Sequence, residues 1–478
     1  MTDLTPYSSA RETAAAVASR EVSAHELMEL HVVRIAELNP TLNAIVSLDE
    51  ERARQGAANA DQALASGAAV GPLHGLPFAT KDTHATAGWR TTYGSPLFAE
   101  HVPDTDELIV ERIRAAGVVL IGKTNVPEFA AGSHTYNLVF GTTRNPWDTS
   151  RSAGGSSGGA AAALASGMVA LADGSDMGGS LRNPASFCGV VGLRPSLGRV
   201  PQWSAEWPLY NQWETTSVGG PMARTVDDLA LLLSVVAGPD PRSPQALLDP
   251  GRIFAPAVRG SLVGVRVALS VDLGGAFEVD HEVARVVAET AQLFSKAGAA
   301  VGSAHPDLSL AEDTFRTLRA WHLHAKLGTL LAEHPDSFKA SLADNIRAGE
   351  HLTGADVARA YTQRTALSET MRVFFSSYDV LALPVSQVPP FPADQEFPSQ
   401  INGRPMASYL DWMRSAYLIT VTGCPAISVP AGFTSDGLPV GIQLVGPHGS
   451  ELRLLEIAAG FEAATGLRGH RPPARVVR

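Results

Sequence analysis

Apolar and polar positions in the N-terminal part of the chain recur with the spacing of amphipathic helices. Two such stretches lie at residues 24–38 and 48–66. Ser23 and Glu26 form a capping-box pattern in front of the first stretch, so a helix is expected to begin there. Pro40 lacks a backbone N–H, and we therefore expect this helix to end at about residue 38. Neither helix carries recognisable chemistry, and both are expected to pack on the body of the protein or on the second subunit of a homodimer.

Apolar runs without helical spacing come next and predict buried strands. They lie at residues 78–81 and 118–121, on either side of a predicted helix at 106–116. Further runs of this kind predict strands at 265–270, 299–303, 380–384, 426–430 and 440–445. Predicted helices alternate with them: one capped by Thr225, one capped by Asp280, a mostly helical stretch at 308–376 and a closing helix capped by Ser450. Strands that alternate with helices predict an α/β fold.

Composition and charge narrow the class of protein. The chain has 478 residues, of which 45% are apolar, so it can bury one large core or form two domains. Its 37 basic and 48 acidic residues give a net charge of -11, which argues against nucleic acid or an anionic membrane as a partner. No apolar run reaches ~18 residues and no signal-peptide pattern opens the chain, so no membrane span is expected. The two cysteines, Cys188 and Cys424, favour a reducing cytoplasm over a disulfide framework.

Candidate chemistry is concentrated in a glycine-rich and serine-rich stretch. Ser156 lies in the sequence GGSSGG, and Ser180 follows 24 residues later at the end of GSDMGGS. Between them we predict a short buried helix at 160–167 and a strand at 168–172, followed by a turn at 173–176. Glycines let other groups approach the backbone closely. A serine hydroxyl beside backbone amides freed in this way supplies a nucleophile next to an oxyanion site, as acyl transfer requires.

A serine nucleophile needs a base, and neither glycine-rich turn has a histidine nearby in the sequence. An apolar stretch at 75–82 contains Lys81, one of only five lysines in the chain. A buried lysine can be neutral, because lowering its pKa from about 10.4 to about 7 costs about 4.6 kcal/mol, which burial can produce. We therefore hypothesise that neutral Lys81 takes the proton of Ser180 through the hydroxyl of Ser156.

At these residues the chain resembles the amidase signature family of serine hydrolases. The pattern GGSSGG followed by GSDxGGSxRxPA is specific to that family, and the resemblance covers nearly the whole chain, most clearly residues 70–222 and 423–446. The resemblance implies a Ser, cis-Ser, Lys triad that cleaves amide C–N bonds. Ser180 would be the nucleophile, Ser156 the serine on a cis peptide bond, and Lys81 the base.

The resemblance also implies the surroundings of the triad and the details of the fold. The oxyanion hole would be formed by the backbone amides of Met177, Gly178, Gly179 and Ser180. The turn would be supported by Asp176, Arg182 and Ser157. The fold would be a single large domain with a mixed, twisted central sheet wrapped by helices and a helical insert. We divide the chain into N-terminal helices (1–66), a catalytic core (67–238), a variable helical lobe (239–378), and return strands with a closing helix (379–478).

Two other motifs resemble functional patterns. Residues 117–124 match the phosphate-loop pattern GxxxxGK[ST] letter for letter, which would indicate a nucleotide binder. A phosphate loop must be an irregular turn between a strand and a helix, whereas VVLI reads as the strand itself. Residues 154–158 fit the GxSxG elbow of α/β-hydrolases, but the residues in front of them make a poor strand. His322 and His324 are spaced two apart on a predicted helix and would face different sides, so we expect no metal and no cofactor.

The substrate is the least determined property. Four aromatic residues lie close together without helical spacing: Trp203, Trp207, Tyr210 and Trp213. They form either a surface loop or an aromatic wall over the site that would favour aryl or apolar substrates. The family also includes carbamate hydrolases and the glutaminase subunit of tRNA-dependent amidotransferases, but segment 409–414 departs from the pattern expected of that subunit. We therefore expect a free-standing amidase for small apolar or aryl amides, with carbamates and esters as further substrate classes.

Overall fold

The structure, a computed structural model, describes residues 4–207 and 212–473. Thirteen helices lie in this part of the chain: α1 (Ala10–Ala18), α2 (Ala24–Leu42), α3 (Glu50–Ala65), α4 (Leu108–Ala115), α5 (Gly158–Ala165), α6 (Arg182–Cys188), α7 (Val226–Val236), α8 (His281–Lys296), α9 (Ala311–Glu333), α10 (Ala340–Arg347), α11 (Gly354–Phe374), α12 (Arg414–Thr420) and α13 (Glu451–Thr465). Fifteen strands accompany them: β1 (Ile45–Val46), β2 (Pro77–Lys81), β3 (Val119–Thr124), β4 (Tyr136–Asn137), β5 (Gly141–Thr142), β6 (Leu171–Asp176), β7 (Val191–Arg194), β8 (Val218–Ala223), β9 (Arg266–Leu269), β10 (Ala300–Ser303), β11 (Val380–Pro384), β12 (Gln400–Ile401), β13 (Arg404–Pro405), β14 (Ala426–Phe433) and β15 (Pro439–Val445).

The central sheet has eight strands in the order β10-β9-β11-β15-β14-β7-β8-β6. Strand β9 runs parallel to both of its neighbours, β10 and β11. The strands from β11 to β6 pair antiparallel, so the sheet is mixed. Helices surround this sheet, and the predicted fold class, an α/β domain with a large mixed sheet and a helical insert, is confirmed.

A smaller sheet, ordered β1-β3-β2, positions Lys81. Strands β2 and β3 run parallel, and Lys81 is paired with Thr124 at their ends. All five residues of β2 are buried, so its last side chain enters the interior of the protein. The glycine, lysine and threonine of the phosphate-loop match lie within β3, where Lys123 is buried and donates to the carbonyl of His84. The segment is therefore a strand, as its apolar residues predicted.

The four residues predicted to cap helices all occupy N-cap positions in the structure. Ser23 and Glu26 form the expected capping box, and Thr225 and Asp280 accept hydrogen bonds from the amides that begin α7 and α8. Ser450 occupies the N-cap position of the closing helix α13, as predicted, but its side chain accepts no hydrogen bond from that helix. Its hydroxyl donates backwards to the carbonyl of Pro447 instead.

Helix α2 does not end before Pro40, as the sequence predicted, but continues to Leu42. Proline disfavours a helix because it lacks one donor and crowds the preceding turn, yet its φ is compatible with helical geometry. The last turn is tied to the segment that follows it, because the side chain of Asn39 accepts a hydrogen bond from the amide of Ile45 and donates one to the Ile45 carbonyl. Asn43 then ends the helix in a left-handed conformation.

Strand β6 lies later in the chain than predicted, and this correction matters for the site. The sequence predicted a strand at 168–172 and a turn at 173–176, whereas β6 spans Leu171–Asp176 and pairs residue by residue with β8. The apolar run suggested the earlier position because the polar residues after it looked unsuitable for a buried strand. Asp173 and Asp176 are nevertheless buried, because the Lys81 amide donates to Asp173 and the Arg182 guanidinium donates to Asp176. The turn begins only after Asp176.

Candidate active site

The amine of Lys81 lies at the centre of the candidate site. Its Nζ is 2.9 Å from the hydroxyl oxygens of Ser156, Ser157 and Ser175. A neutral amine offers two N–H donors and one lone pair, so three hydroxyl partners satisfy it fully. In that state, one of the serines can donate its own proton to the nitrogen.

The surroundings of Lys81 favour this neutral state. Its side chain is completely buried. Burial lowers the pKa of Lys81 to about 7, while the charges of Asp173, Asp176 and Glu107 act in the opposite direction. Desolvation disfavours the ammonium form, so a substantial fraction of the amine is unprotonated at neutral pH.

Ser156 reaches Lys81 from the glycine-rich segment in front of α5. The peptide bond between Gly155 and Ser156 is cis. Gly154 has a φ of +75°, and a Cβ there would lie 2.7 Å from Oδ1 of Asn183. Side chains at these glycines would collide with neighbouring segments, which is why the sequence has none there. The close approach brings Ser156 and Ser157 against the lysine of a separate sheet.

Ser180 lies in the turn between β6 and α6, and a buried ion network holds this turn. Asp176 accepts hydrogen bonds from the amides of Gly179 and Leu181 and forms ion pairs with Arg182 and Arg194. Both pairs are fully buried. Burial would raise the pKa of Asp176, but the guanidinium groups hold that pKa well below its usual range. Asp176 therefore stays charged and fixes the backbone on both sides of Ser180.

The hydrogen bond that the Gly179 amide donates to Asp176 affects the predicted oxyanion hole, which was expected to include this amide. The amide donates to Oδ1 of Asp176 at 2.9 Å and is thus already occupied. Within the described residues, no hydrogen bond takes up the amides of Met177, Gly178 or Ser180. These three remain available for a developing oxyanion.

A cavity opens over the serines. Ser156, Ser175 and Ser180 all line it, and Ser180 is 6% exposed. Its apolar wall includes Ile109, Phe129, Trp207, Leu323 and Leu327. Leu323 and Leu327 are four residues apart on α9, so one face of the helical insert contributes to the cavity.

Charged groups also line this cavity: Glu107, Glu214, Arg319 and Lys326. Burial raises the pKa of Glu107 and lowers the pKa of Lys326. Lys326 also lies 4.7 Å from the ring centre of Trp207. The cavity therefore combines an apolar wall with polar anchoring points, as small-molecule sites usually do.

The aromatic cluster is only partly at the cavity. The structure places Trp207 in the cavity wall. Trp203 packs instead beneath Arg242, whose guanidinium carbon is 4.6 Å from the ring centre, and Trp213 is 66% exposed. Tyr210 lies outside the described residues.

Three residues of the site escaped the sequence analysis: Ser175, Asp173 and His84. Ser175 binds the amine of Lys81, and Asp173 accepts a hydrogen bond from the Lys81 amide at 3.0 Å. The imidazole of His84 lies in the cavity wall and against Asp173. Reading residues 171–176 as a strand would have placed Asp173 and Ser175 on one face, because alternate residues of a strand share a face.

Neither cysteine offers a competing nucleophile. Burial raises the pKa of the Cys424 thiol to about 11 and raises the pKa of Cys188 further. Both thiols are protonated at neutral pH and behave as small core residues. Among the described residues, no helix is long and apolar enough to cross a membrane.

The chain belongs to the amidase family, whose model matches residues 26–455. This confirms the family resemblance, and members of this family act on amide C–N bonds of small molecules. The chain is 38% identical to an acylamidase of Rhodococcus erythropolis over 95% of each chain. It is also 38% identical, over 96% of each chain, to one of the subunits of the glutamyl-tRNA(Gln) amidotransferase of Synechococcus sp..

Solved structures agree with this assignment. A bacterial aryl acylamidase of the amidase signature family superposes with a TM-score of 0.89 at 30% identity, covering 98% of each chain. A 6-aminohexanoate cyclic dimer hydrolase superposes with a TM-score of 0.87 at 29% identity, covering 99% of this chain and 100% of that one. The fold is therefore that of amidase signature enzymes.

Proposed function

We propose that this protein is a free-standing amidase that hydrolyses small apolar or aryl amides through Ser180, Ser156 and Lys81. The observation that carries the proposal is the 2.9 Å contact between the buried amine of Lys81 and the Ser156 hydroxyl, in the cavity that Ser180 also lines. A buried lysine with a pKa of about 7 is suited to accept a proton at neutral pH. This arrangement supplies the base that a serine nucleophile lacks on its own.

In the acylation step, Oγ of Ser180 attacks the carbonyl carbon of the amide. The Ser180 proton passes to Ser156, whose own proton passes to Nζ of Lys81. The carbonyl oxygen becomes negative and accepts hydrogen bonds from the free amides of Met177, Gly178 and Ser180. Lys81 then returns a proton through Ser156 to the leaving nitrogen, the C–N bond breaks, and the amine departs from an acyl ester on Ser180.

In the deacylation step, the same groups act on water. A water molecule attacks the ester carbonyl while its proton passes through Ser156 to Lys81. Collapse of the second tetrahedral intermediate breaks the bond to Ser180, whose oxygen recovers a proton through the relay. The carboxylic acid leaves, and the enzyme returns to its starting state.

The proposed substrate class rests on the cavity wall and on the named relatives. Phe129, Trp207 and Leu327 offer apolar and aromatic surface next to the serines. An acylamidase and an aryl acylamidase are among the proteins that the chain resembles. Carbamates and esters follow the same acyl-transfer path with a different leaving group, so we include them as further substrates.

The test is active-site labelling followed by turnover of an anilide. A serine-directed fluorophosphonate should label Ser180, with fragment ions separating it from Ser156 because both lie in the tryptic peptide 152–182. Lys81→Ala should abolish labelling and hydrolysis of a 4-nitroanilide at neutral pH. Lys296→Ala, at an exposed lysine, serves as the control. A label on Ser156, or a Lys81→Ala variant with near-normal activity, would contradict the proposal.

A second candidate is the glutaminase subunit of a tRNA-dependent amidotransferase. It is supported by the 38% identity to a subunit of such an enzyme. The two functions differ in substrate, so the purified chain should be given glutamine and a 4-nitroanilide in parallel. Turnover of the anilide without release of ammonia from glutamine supports the free-standing amidase, and the reverse result supports the glutaminase function.

A further inference from the structure

The Asp173 carboxylate makes contact with the main chain of Lys81, whereas the serines contact its side chain. Oδ1 of Asp173 accepts from the Lys81 amide at 3.0 Å, and Oδ2 lies 2.5 Å from Nδ1 of His84. The His84 amide in turn donates to the Lys81 carbonyl at 2.9 Å. The peptide groups on both sides of Lys81 are therefore held by one acid and one histidine.

Strand β6 presents Asp173 and Ser175 to the same lysine. Residues two apart on a strand share a face and are about 6.6 Å apart, which is close to the length of an extended lysine side chain. Asp173 accordingly binds the start of Lys81 at its amide, and Ser175 binds the end at Nζ. One strand thus places both ends of the proposed base.

The bond between His84 and Asp173 is not needed to hold the loop after β2. Lys123 donates to the His84 carbonyl at 2.7 Å and to the Thr86 hydroxyl at 2.6 Å, and this fixes the backbone of the loop. Asp82, in the same loop, is bound by Thr92. The imidazole of His84 is therefore available to donate a hydrogen bond to the Asp173 carboxylate, and the loop does not depend on that bond.

We infer that Asp173 and His84 are positioning residues of Lys81. Both hold its main chain, Asp173 supplies a charge that offsets the burial of its amine, and His84 weakens that effect by binding the carboxylate. This inference rests on the proposed function, since it assigns a role relative to the base. A carboxylate near a buried amine stabilises the ammonium form, and a donor or positive charge on that carboxylate weakens the effect. Asp173 and His84 thus act on the Lys81 amine in opposite directions.

Other charged groups lie around Asp173 and His84, but their positions differ from those of this pair. Those that face Lys81, His84 or their segment are Asp82 in the loop itself, Asp176 on β6, Glu107 before α4, Lys123 on β3, and Lys326 on α9 beyond Glu107. Asp176 is held by two arginines. None of these groups bonds to the Lys81 main chain, and Asp173 alone bridges the main chain of Lys81 and the ring of His84 within the described residues.

The test is the pH dependence of Ser180 labelling by a fluorophosphonate, which needs no knowledge of the substrate. The acid limb of this profile is the pH range in which labelling rises as Lys81 loses its proton. Asp173→Asn keeps an oxygen for the Lys81 amide but removes the charge, so the acid limb should move to lower pH by about 1 unit. His84→Leu removes the donor from the carboxylate, so the limb should move to higher pH. His84→Asn restores a donor near the position of Nδ1 and should return the limb towards that of the wild type. Asp82→Asn removes a neighbouring buried carboxylate bound to Thr92 and should leave the limb unmoved.

Opposite shifts of the acid limb in Asp173→Asn and His84→Leu are the expected result, because a purely structural role would slow labelling without moving the limb. Limbs that coincide with that of the wild type in both variants would overturn the inference while leaving the proposed function intact. If Asp173→Asn does not fold, the comparison of His84→Leu with His84→Asn decides the question. Two results would overturn the proposed function itself and the inference with it. One is labelling of the wild type that does not fall at low pH, and the other is a Lys81→Ala variant that the fluorophosphonate still labels.

Discussion

The amine of Lys81 is bound by three serine hydroxyls and is removed from water. Desolvation acts against the ammonium form, and the charges of Asp173, Asp176 and Glu107 compensate only in part. The balance leaves the pKa of Lys81 at about 7, well below that of a lysine in water. A residue that is usually a permanent cation is therefore partly neutral at neutral pH, which the proposed role of Lys81 as the base requires.

The first prediction concerns the pH dependence of catalysis. Only neutral Lys81 accepts a proton, so kcat/KM on a 4-nitroanilide should rise about tenfold per pH unit below the pKa and level off above about pH 7. The profile should be recorded from about pH 5 to about pH 9, with stability checked at each end. Activity that is independent of pH across the range from about 6 to about 8 would contradict a role for this amine.

The second prediction concerns two adjacent glycines in the turn before Ser180. Gly179 has a φ of +112°, and a Cβ there would lie 2.7 Å from Cβ of Ala416, whereas the nearest atom at Gly178 is the flexible end of Met413 at 3.0 Å. Gly179→Ala should displace the neighbouring amides and lower kcat by about 10² to 10³, the usual effect of losing an oxyanion donor. Gly178→Ala is the matched control and should have a milder effect. An equal loss of kcat in Gly179→Ala and Gly178→Ala would mean that the left-handed backbone conformation of Gly179 does not determine the activity.

At the scale of elements, the turn between β6 and α6 depends on one carboxylate. Asp176 joins the end of β6 to the start of α6 through Arg182 and to the end of β7 through Arg194. Arg182 also donates to the Ala416 carbonyl and to Gln443, so α12 and β15 are attached to the same centre. The position of Ser180 is thus determined by segments more than two hundred residues apart in the sequence.

The third prediction tests this network through stability. Asp176→Asn leaves two buried guanidinium groups without their counter-charge, and the free energy of unfolding should fall by about 3 to 5 kcal/mol. Urea unfolding provides the measurement. Glu369→Gln, which removes an exposed partner of Arg372, is the control and should change little.

The same carboxylate predicts a pH effect on stability. The pKa of Asp176 is depressed in the folded state, so its contribution is present at neutral pH and is lost as the pH falls below about 3.9, the value in the unfolded chain. Wild-type stability should therefore fall more steeply with acid than that of Asp176→Asn. Parallel curves for the two proteins would show that the network does not act through charge.

At the scale of the whole molecule, one sheet connects distant parts of the chain. Strands β6, β7 and β8 come from residues 171–223, and β9, β11, β14 and β15 come from residues 266–445, yet all lie in the same sheet. The small sheet with Lys81 contacts this sheet through Asp173 on its edge strand β6. The site is therefore assembled only when both sheets are in place.

The last prediction follows from this connection. Loss of fluorophosphonate labelling at Ser180 and loss of far-UV circular dichroism should occur at the same urea concentration, because the site and the central sheet share β6. The two signals should be followed on the same samples. Labelling that disappears well before the dichroism would indicate that the site unfolds separately from the sheet.

The sequence by itself determined the family and the order of most elements, and it identified the residues for which we propose a catalytic role. Ser156, Ser180 and Lys81 could be found because their glycine and apolar neighbours are local signals, and the caps at Ser23, Thr225 and Asp280 are local as well. Alternation of apolar runs with helical stretches was enough to predict the α/β class. Two elements were misplaced: the end of α2, where a hydrogen-bonded contact between Asn39 and Ile45 outweighs the signal of Pro40, and the start of β6, which is fixed by pairing with the distant strand β8.

Only the tertiary structure decided how these parts act together. Asp173 binds Lys81 and His84 across 92 and 89 positions of sequence, and no local pattern reports such a contact. The cavity wall likewise combines the segment around Phe129, Trp207 and one face of α9. The physical reason is that a buried polar group must find its partners wherever the fold brings them, so its role depends on packing and not on its neighbours in the chain.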